Sequence, residues 1–470
     1  MNYSPSDTIV AVATPPGLGG VAIVRVSGPD SLPILRKIVR RNRGGSLEWS
    51  ARHMYYVQVV DNRDSSSEQI IDRALAVYMP GPYSYTGEDV AEIQCHGGDV
   101  LARLIVDVCV SNGARLALPG EFTYRAFMAG KLDLSEAESV LSLIEAKSKS
   151  GVVLAANNLK GALSASIEKL RDGILDIIAQ YEAEIDYGDE IETSDTSLVA
   201  GRCSEFLNEV EDLLHRASEG RTMAEGVETV LVGPPNAGKS TLWNALIGQN
   251  KALVTPYPGT TRDQLEDYVY VNNVLLHLID TAGLHESGDP VERLGMEKTL
   301  EALSEAELCL VVLDAHSDIP SDFRLTLSEL STRVAKDPCF RALAIMNKCD
   351  LGVKVTPKDL TDMWGIRDVC QTSLKFGDGL EEIKSKLGAL CHSSLTSCDM
   401  AISLSQRQRE SLQQVRAALL RLQEGIVKAV PCDCLLLDLH DCLQALNSLT
   451  GHDVSEDVLN RVFSKFCLGK

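Results

Sequence analysis

Within its 470 residues the chain has no apolar run approaching the roughly 18 residues that a membrane-spanning helix needs, so no membrane association is expected. The opening stretch MNYSPSDTIVAVATPPG lacks a basic region followed by a continuous apolar core, so no secretory signal is expected. A CxxC pair is absent. The 13 cysteines are scattered, and CDC at 432–434 has poor zinc spacing without a matching partner pair. Cysteines used for packing in a reducing compartment are the expectation, which places the protein in the cytoplasm. An excess of basic charge is missing too. A net charge of −21 excludes a general nucleic-acid coat. One local basic stretch, RKIVRRNR at 36–43, reads as a solvated helix face. Proline is absent from 134 to 186, which leaves that segment free to be helical.

What is present is ordinary for a globular protein: 44% hydrophobic and 24% charged residues. The length exceeds what one core usually serves, so several domains are expected. In the first 125 residues, DTIVAVATPP, GVAIVRVSG, RALAVYMP and DVAEIQCHGG are short runs bounded by Gly, Pro and Asp, as strands are. GDVLARLIVDVCVSNGA reads as an amphipathic helix closed by glycine. From about residue 130 the periodicity is helical, with two or more helices before the acidic connector DYGDEIETSDTS and another at about 198–218. Residues 227 to about 390 alternate strands and helices, the pattern of a doubly wound parallel sheet, and 405–467 are helical again. The fold class is therefore multidomain, α/β plus all-α, with an α/β unit inserted into a split helical domain. The expected boundaries are 1–125 (N-terminal α/β), 126–224 (first helical part), 225–390 (inserted α/β) and 391–470 (second helical part).

The strongest motif is VETVLVGPPNAGKSTLWNAL, an apolar strand leading into Gly233-x4-Gly238-Lys239-Ser240 and then a helix. Glycines in this context let backbone N–H groups wrap phosphates at a helix N-terminus. Lys239 neutralises β/γ oxygens and the Ser240 hydroxyl is a Mg²⁺ ligand. PGTTRD at 258–263 offers Thr261 as the second Mg²⁺ ligand. VLLHLIDTAG puts Asp280 at the end of a buried strand and the Gly283 N–H near a γ-phosphate. ALAIMNKCD ends another strand in Asn347-Lys348-x-Asp350. Asp350 can accept from guanine N1–H and the exocyclic amine together, a pattern that adenine does not offer, while Lys348 covers the ring. TSLK at 372–375 supplies a second base-contacting loop through Ser373, Leu374 and Lys375. In this order the motifs describe a Ras-like P-loop domain that binds GTP. Its nucleotide contacts are Asn236, Ala237, Gly238, Lys239, Ser240 and Thr241, then Thr255, Thr260 and Thr261, and Asp280, Thr281, Ala282 and Gly283.

One element is missing from that set. A water-orienting glutamine follows DTAG in Ras-like proteins, but here Leu284 and His285 follow. Asn236 and the switch segment TPYPGTTRD carry neutral oxygens suited to a large monovalent cation; for Asn236 a loop-bracing hydrogen bond fits the spacing equally well.

At this point the sequence resembles the tRNA-modification GTPase family MnmE, also called TrmE, over essentially the whole chain. The resemblance is carried by DTIVAVATPPGLGGVAIVRVSG, YTGEDVAEIQCHGG, PGEFTYRAFMAGKLDLSEAE, GPPNAGKST, GTTRD, DTAGLHES followed by VERLG, and FCLGK. It implies a GTPase that works with an FAD-dependent, MnmG-like partner to modify C5 of the wobble uridine in certain tRNAs. The product is an aminomethyl- or carboxymethylaminomethyl-type group. The one-carbon donor is a tetrahydrofolate derivative, in the 5-formyl or 5,10-methylene form, and FAD belongs to the partner only. The family resemblance also implies a homodimer, a heterotetramer or larger complex with the partner, and K⁺-stimulated hydrolysis through pairing of the G domains. The matching K⁺ ligands are Asn236, Thr255, Tyr257 and Thr260, and the matching catalytic residue is Glu292, acting through a bridging water.

The same resemblance makes the N-terminal domain folate-binding-like and dimerising, with Arg25, Glu92, Lys131 and Lys470 as folate contacts. Cys467 in the FCLGK tail is either a structural cysteine or a functional thiol; a prenylation signal fits poorly because the last residue is Lys. The chain departs from the family pattern at His285, where arginine is common, at Tyr257-Pro258 in the switch, and at Leu468 in the tail. Two rivals make different expectations: a ribosome-assembly GTPase should carry a ribosome-binding or second G domain, and a purely recruiting GTP switch should hydrolyse slowly and ignore K⁺.

Overall fold

The computed structural model describes residues 7–42, 47–64, 68–187, 196–250, 265–272, 274–280, 302–304, 306–337, 340–392 and 401–470. They divide into two compact units. One comprises Met1–Leu141, Asn158–Val210 and Ser405–Lys470; the other comprises Ser142–Asn157 and Glu211–Leu404.

Among its described residues the first unit contains seven strands: β1 (Ile9–Val12), β2 (Val21–Ser27), β3 (Val39–Arg41), β4 (Met54–Asp61), β5 (Gln69–Met79), β6 (Val90–His96) and β7 (Arg115–Leu116). They form one sheet in the order β3-β4-β5-β6-β2-β1-β7. The pleat sorts the side chains. Ala22, Val24 and Val26 of β2 are buried, while Arg25 turns to the other face, directly opposite Glu92 of β6. The helix Asp99–Ser111 presents Ala102, Ile105, Val106 and Cys109 to the core, an i, i+3, i+4, i+7 stripe. Just beyond its end stands Gly113 at φ +115°, the glycine closure expected from the sequence.

The basic stretch departs from its expected helical form. Arg36–Ile38 ends the helix Ser31–Ile38, but Val39–Arg41 is strand β3, paired antiparallel with β4. Two adjacent β-branched residues, Ile38 and Val39, favour the extended form, and the edge of β4 takes up the backbone. Arg40 is committed to the Glu68 carboxylate and to the carbonyls of Lys37 and Val39. Within the same unit, helices Ala162–Tyr187, Gln406–Val427 and Cys432–Thr450 pack together. The second of these starts in a capping box, Ser405 accepting from Gln408 N–H and donating its own N–H to the Gln408 side chain.

The second unit contains β8 (Val227–Val232), β9 (Leu265–Val271), β10 (Val274–Asp280), β11 (Leu308–Asp314), β12 (Arg341–Asn347) and β13 (Asp368–Gln371). Their order is β13-β12-β11-β8-β10-β9, parallel throughout except for β9 against β10. Along β11, Leu308, Leu310 and Val312 belong to one core, and Cys309, Val311 and Leu313 to the core on the opposite face. A strand buried on both faces must be apolar throughout, which is why LCLVVLD shows no alternation. The carboxyl ends of β8, β11 and β12 deliver the phosphate loop, Asp314 and Asn347 to one end of the sheet, where doubly wound folds bind ligands. Among the described residues no helix is long and apolar enough to cross a membrane.

Candidate functional site

The phosphate loop takes its shape from two close approaches. A Cβ on Gly233 would lie 2.2 Å from the Val312 carbonyl oxygen. Gly238 has φ +108°, and a Cβ there would lie 2.2 Å from Asn347 Nδ2. Only glycine serves at either position. Between them Asn236 is exposed and left-handed at φ +61°, a conformation that asparagine tolerates better than most residues. Lys239 donates from Nζ to the carbonyls of Gly233 at 2.7 Å and Pro234 at 3.0 Å, so its ammonium lies across the loop. The helix Lys239–Asn250 begins there, with Ser240 and Thr241 exposed in its first turn. An exposed hydroxyl at that place is a fitting Mg²⁺ ligand, and the outward Asn236 carboxamide is a fitting oxygen donor for K⁺.

The base-side segments meet the loop through Asn347. Its buried carboxamide donates from Nδ2 to the Ala237 carbonyl at 2.9 Å and accepts at Oδ1 from the Leu374 N–H at 3.0 Å. Asp350 is exposed, and one of its oxygens accepts from Ser373 Oγ at 2.6 Å. Lys348 is left-handed at φ +62°, and its Nζ donates to Asp314 Oδ2 at 2.8 Å. Burial pushes the Asp314 carboxyl up, but the Lys348 ammonium and the His316 N–H outweigh it and hold the group below its ordinary value. Lys375 is exposed beside the Phe376 ring. Ala237, Asn347, Lys348, Asp350, Ser373, Leu374 and the loop residues 236–241 are thus brought to one end of one sheet. Asp314 was not among the residues singled out by sequence; the available signal was an acidic residue closing an otherwise apolar strand.

Asp280 closes β10 in register with Leu231 of β8. Thr255, Tyr257, Thr260, Thr261, Thr281, Ala282, Gly283, His285 and Glu292 lie outside the described residues.

In the first unit, Arg25 Nε donates to Glu92 Oε1 at 2.8 Å, with only 17% and 15% of the two side chains exposed. The guanidinium lies 5.5 Å from the Tyr85 ring centroid and 5.7 Å from that of Phe122. The tail reaches the same place: Arg25 Nη1 donates to the Gly469 carbonyl at 3.5 Å, and Phe122 N–H donates to the Lys470 carbonyl at 3.2 Å. The Lys470 amine is half-buried, and burial first, then Arg25, lowers it below the ordinary lysine value. Arg25, Glu92 and Lys470 therefore share one partly buried, aromatic-flanked site, whose mixed charges fit a pterin edge and a carboxylate tail. Lys131 is exposed, with Nζ 5.9 Å from the Tyr83 ring, a different aromatic from those flanking Arg25. Cys467 is an exposed free thiol. Tyr85, Phe122 and the buried Glu121 lie within YTGEDVAEIQCHGG and PGEFTYRAFMAGKLDLSEAE but were not singled out as site residues, since no spacing there marks them; Glu121 accepts from Arg115, Arg125 and the Leu118 N–H.

Comparison with known proteins matches two family models, the MnmE helical domain over residues 134–467 and the GTP-binding protein TrmE N-terminus over residues 8–131. The proteins called tRNA modification GTPase MnmE from Heliobacterium modesticaldum and Symbiobacterium thermophilum are 38% and 39% identical, over 99% of this chain and 99% of theirs. That of Bacillus subtilis is 37% identical over 99% of this chain and 100% of its own. Among solved structures, the G domain of the T. maritima FeoB iron transporter is 28% identical over 35% of this chain and 98% of its own, with a TM-score of 0.27, too low to bear on the fold. The chain belongs to the MnmE (TrmE) family of tRNA modification GTPases.

Proposed function

We propose that this chain hydrolyses GTP in the course of modifying C5 of the wobble uridine of certain tRNAs, acting as a homodimer with an FAD-dependent, MnmG-like partner. The group added is of aminomethyl or carboxymethylaminomethyl type, and its carbon comes from a 5-formyl or 5,10-methylene tetrahydrofolate. A tRNA substrate sets the work in the cytoplasm. The observation that carries the nucleotide side is the Asn347 carboxamide, which joins the phosphate loop at Ala237 to the base loop at Leu374. A site so joined reads phosphate and base together.

On GTP binding, the Lys239 ammonium would exchange the Gly233 and Pro234 carbonyls for β/γ-phosphate oxygens. Asp350 would accept from guanine N1–H and the exocyclic amine, with Ser373 holding the carboxylate in plane. When bound, Mg²⁺ (Ser240, Thr261) and K⁺ (Asn236, Thr255, Tyr257, Thr260) would supply positive charge against the transferring phosphoryl group. Glu292 would orient the attacking water through a bridging water, and the Gly283 N–H would meet the γ-phosphate. In the first unit Glu92 would accept from the pterin edge while Arg25, Lys131 and Lys470 hold the glutamate tail. The domains are assigned as 1–125, 126–224 with 391–470, and 225–390.

The hydrolytic part is tested by measuring GTP turnover in K⁺ and in Na⁺ at equal ionic strength. Turnover should rise severalfold in K⁺. Equal rates would remove the monovalent cation from the mechanism.

A further inference from the structure

Asp314 closes β11 beside Asn347, its direct register partner at the end of β12. The Ala315 N–H donates to the Asn347 carbonyl at 2.8 Å, so the two strand ends are locked at the point where the base-recognition segment leaves the sheet. The next residue, Lys348, turns left-handed. Its long side chain reaches back to Asp314, Nζ to Oδ2 at 2.8 Å. The other carboxylate oxygen, Oδ1, accepts from the His316 N–H at 2.9 Å, which fixes the carboxylate plane. The pair is partly buried, with 34% of the lysine and 19% of the aspartate side chain exposed.

A lysine that covers a purine ring must lie extended along it, and a free lysine pays heavily in rotamer entropy to do so. An anchor for its ammonium removes much of that cost. We infer that Asp314 is a positioning residue for guanine nucleotide binding: it holds Lys348 extended, by the Lys348–Asp314 ion pair, ready to cover the base. The inference rests on GTP being the ligand of this site. Asp314 acts on the base side, remote in sequence from the switch residues that meet the γ-phosphate. It should therefore favour GTP and GDP equally, and act only through Lys348.

The test uses the full chain, with dissociation constants for GTP and GDP, the KM and kcat of hydrolysis, and the variants Asp314→Asn, Asp314→Glu, Lys348→Ala and the double variant. Asparagine keeps an acceptor for the His316 N–H but replaces the charged oxygen that faces the Lys348 ammonium with a neutral NH₂ donor. Asp314→Asn should weaken both nucleotides alike by about 3- to 10-fold, the range of a partly buried ion pair. KM should rise in proportion, with kcat nearly unchanged, and Asp314→Glu should recover much of the loss. In the Lys348→Ala background the Asp314→Asn change should have almost no further effect, as for two residues that act as one. Wild-type affinity in Asp314→Asn, or the full loss repeated on top of Lys348→Ala, would overturn the inference while leaving GTP binding intact. A wild-type chain that binds no guanine nucleotide would overturn the nucleotide assignment and this inference with it.

Discussion

Asn347 Nδ2 donates to the Ala237 carbonyl at 2.9 Å, across 110 residues of sequence, and so ties the base-recognition strand to the phosphate loop. The close approach of this amide also explains the glycine at 238, since a Cβ there would overlap Nδ2.

Asn347→Ala removes both bonds of a buried carboxamide and leaves the Ala237 carbonyl and Leu374 N–H without that partner. GTP and GDP affinity should each fall by about tenfold or more while the overall fold persists. Titration with either nucleotide, alongside circular dichroism, checks this; unchanged affinity would show that the link is not needed for binding.

Asp350→Asn should exchange the base preference. An asparagine amide can donate to the 2-oxo group of xanthine but meets the guanine amine donor to donor. Guanine nucleotide affinity should drop by about two orders of magnitude or more, and xanthine nucleotide affinity should rise, since an unpaired polar edge is strongly rejected. Competition between GDP and XDP reads both changes.

Arg25→Ala should impair folate binding and spare GTP hydrolysis. The guanidinium pairs with Glu92, reaches the Gly469 carbonyl and sits between Tyr85 and Phe122, so its loss dismantles the partly buried site in the first unit. Equilibrium binding of 5-formyltetrahydrofolate should weaken by about tenfold or more, the scale of one lost charge-assisted contact. Retained folate affinity would move the site elsewhere.

Glu121 is a fully buried carboxylate. Burial alone would raise its pKa, but Arg115, the Leu118 N–H and Arg125 prevail and hold it below the ordinary 4.5. The unfolded chain then takes up the proton first as acid is added. Its stabilising contribution is complete above 4.5 and disappears as pH falls through the lower folded value. Glu121→Gln should cost about 2–4 kcal/mol near neutral pH, because the buried Arg125 and the partly exposed Arg115 lose the carboxylate they share and keep Glu88 and Asp7 respectively. Chemical denaturation at neutral pH and at progressively lower pH should show the gap to wild type narrowing in acid; a gap that stays constant would mean that the effect is steric.

Much of the architecture was legible in the sequence, for local physical reasons. LCLVVLD announces a strand buried on both faces, and GPPNAGKST can wrap phosphates only as a strand–loop–helix turn. The stripe in DVLARLIVDVCVS marks its helix. Residues 36–43 misled because charge describes a face, whereas the pairing of Val39–Arg41 with β4 is a long-range event. The Asp314–Lys348 pair was equally hidden: it spans 34 residues and forms only because β11 and β12 end in register. The site around Arg25 joins residues 25, 85, 92, 122 and 469–470, and no spacing rule links positions so far apart.

The most direct measurement is nucleoside analysis of tRNA from cells lacking this chain, with the chain restored as wild type or as Lys239→Ala. Cells without it should lose the C5-modified wobble uridine, wild type should restore it, and Lys239→Ala should not. Unaltered wobble nucleosides in cells lacking the chain would contradict its assignment to tRNA modification, and full restoration by Lys239→Ala would contradict a role for GTP in that work.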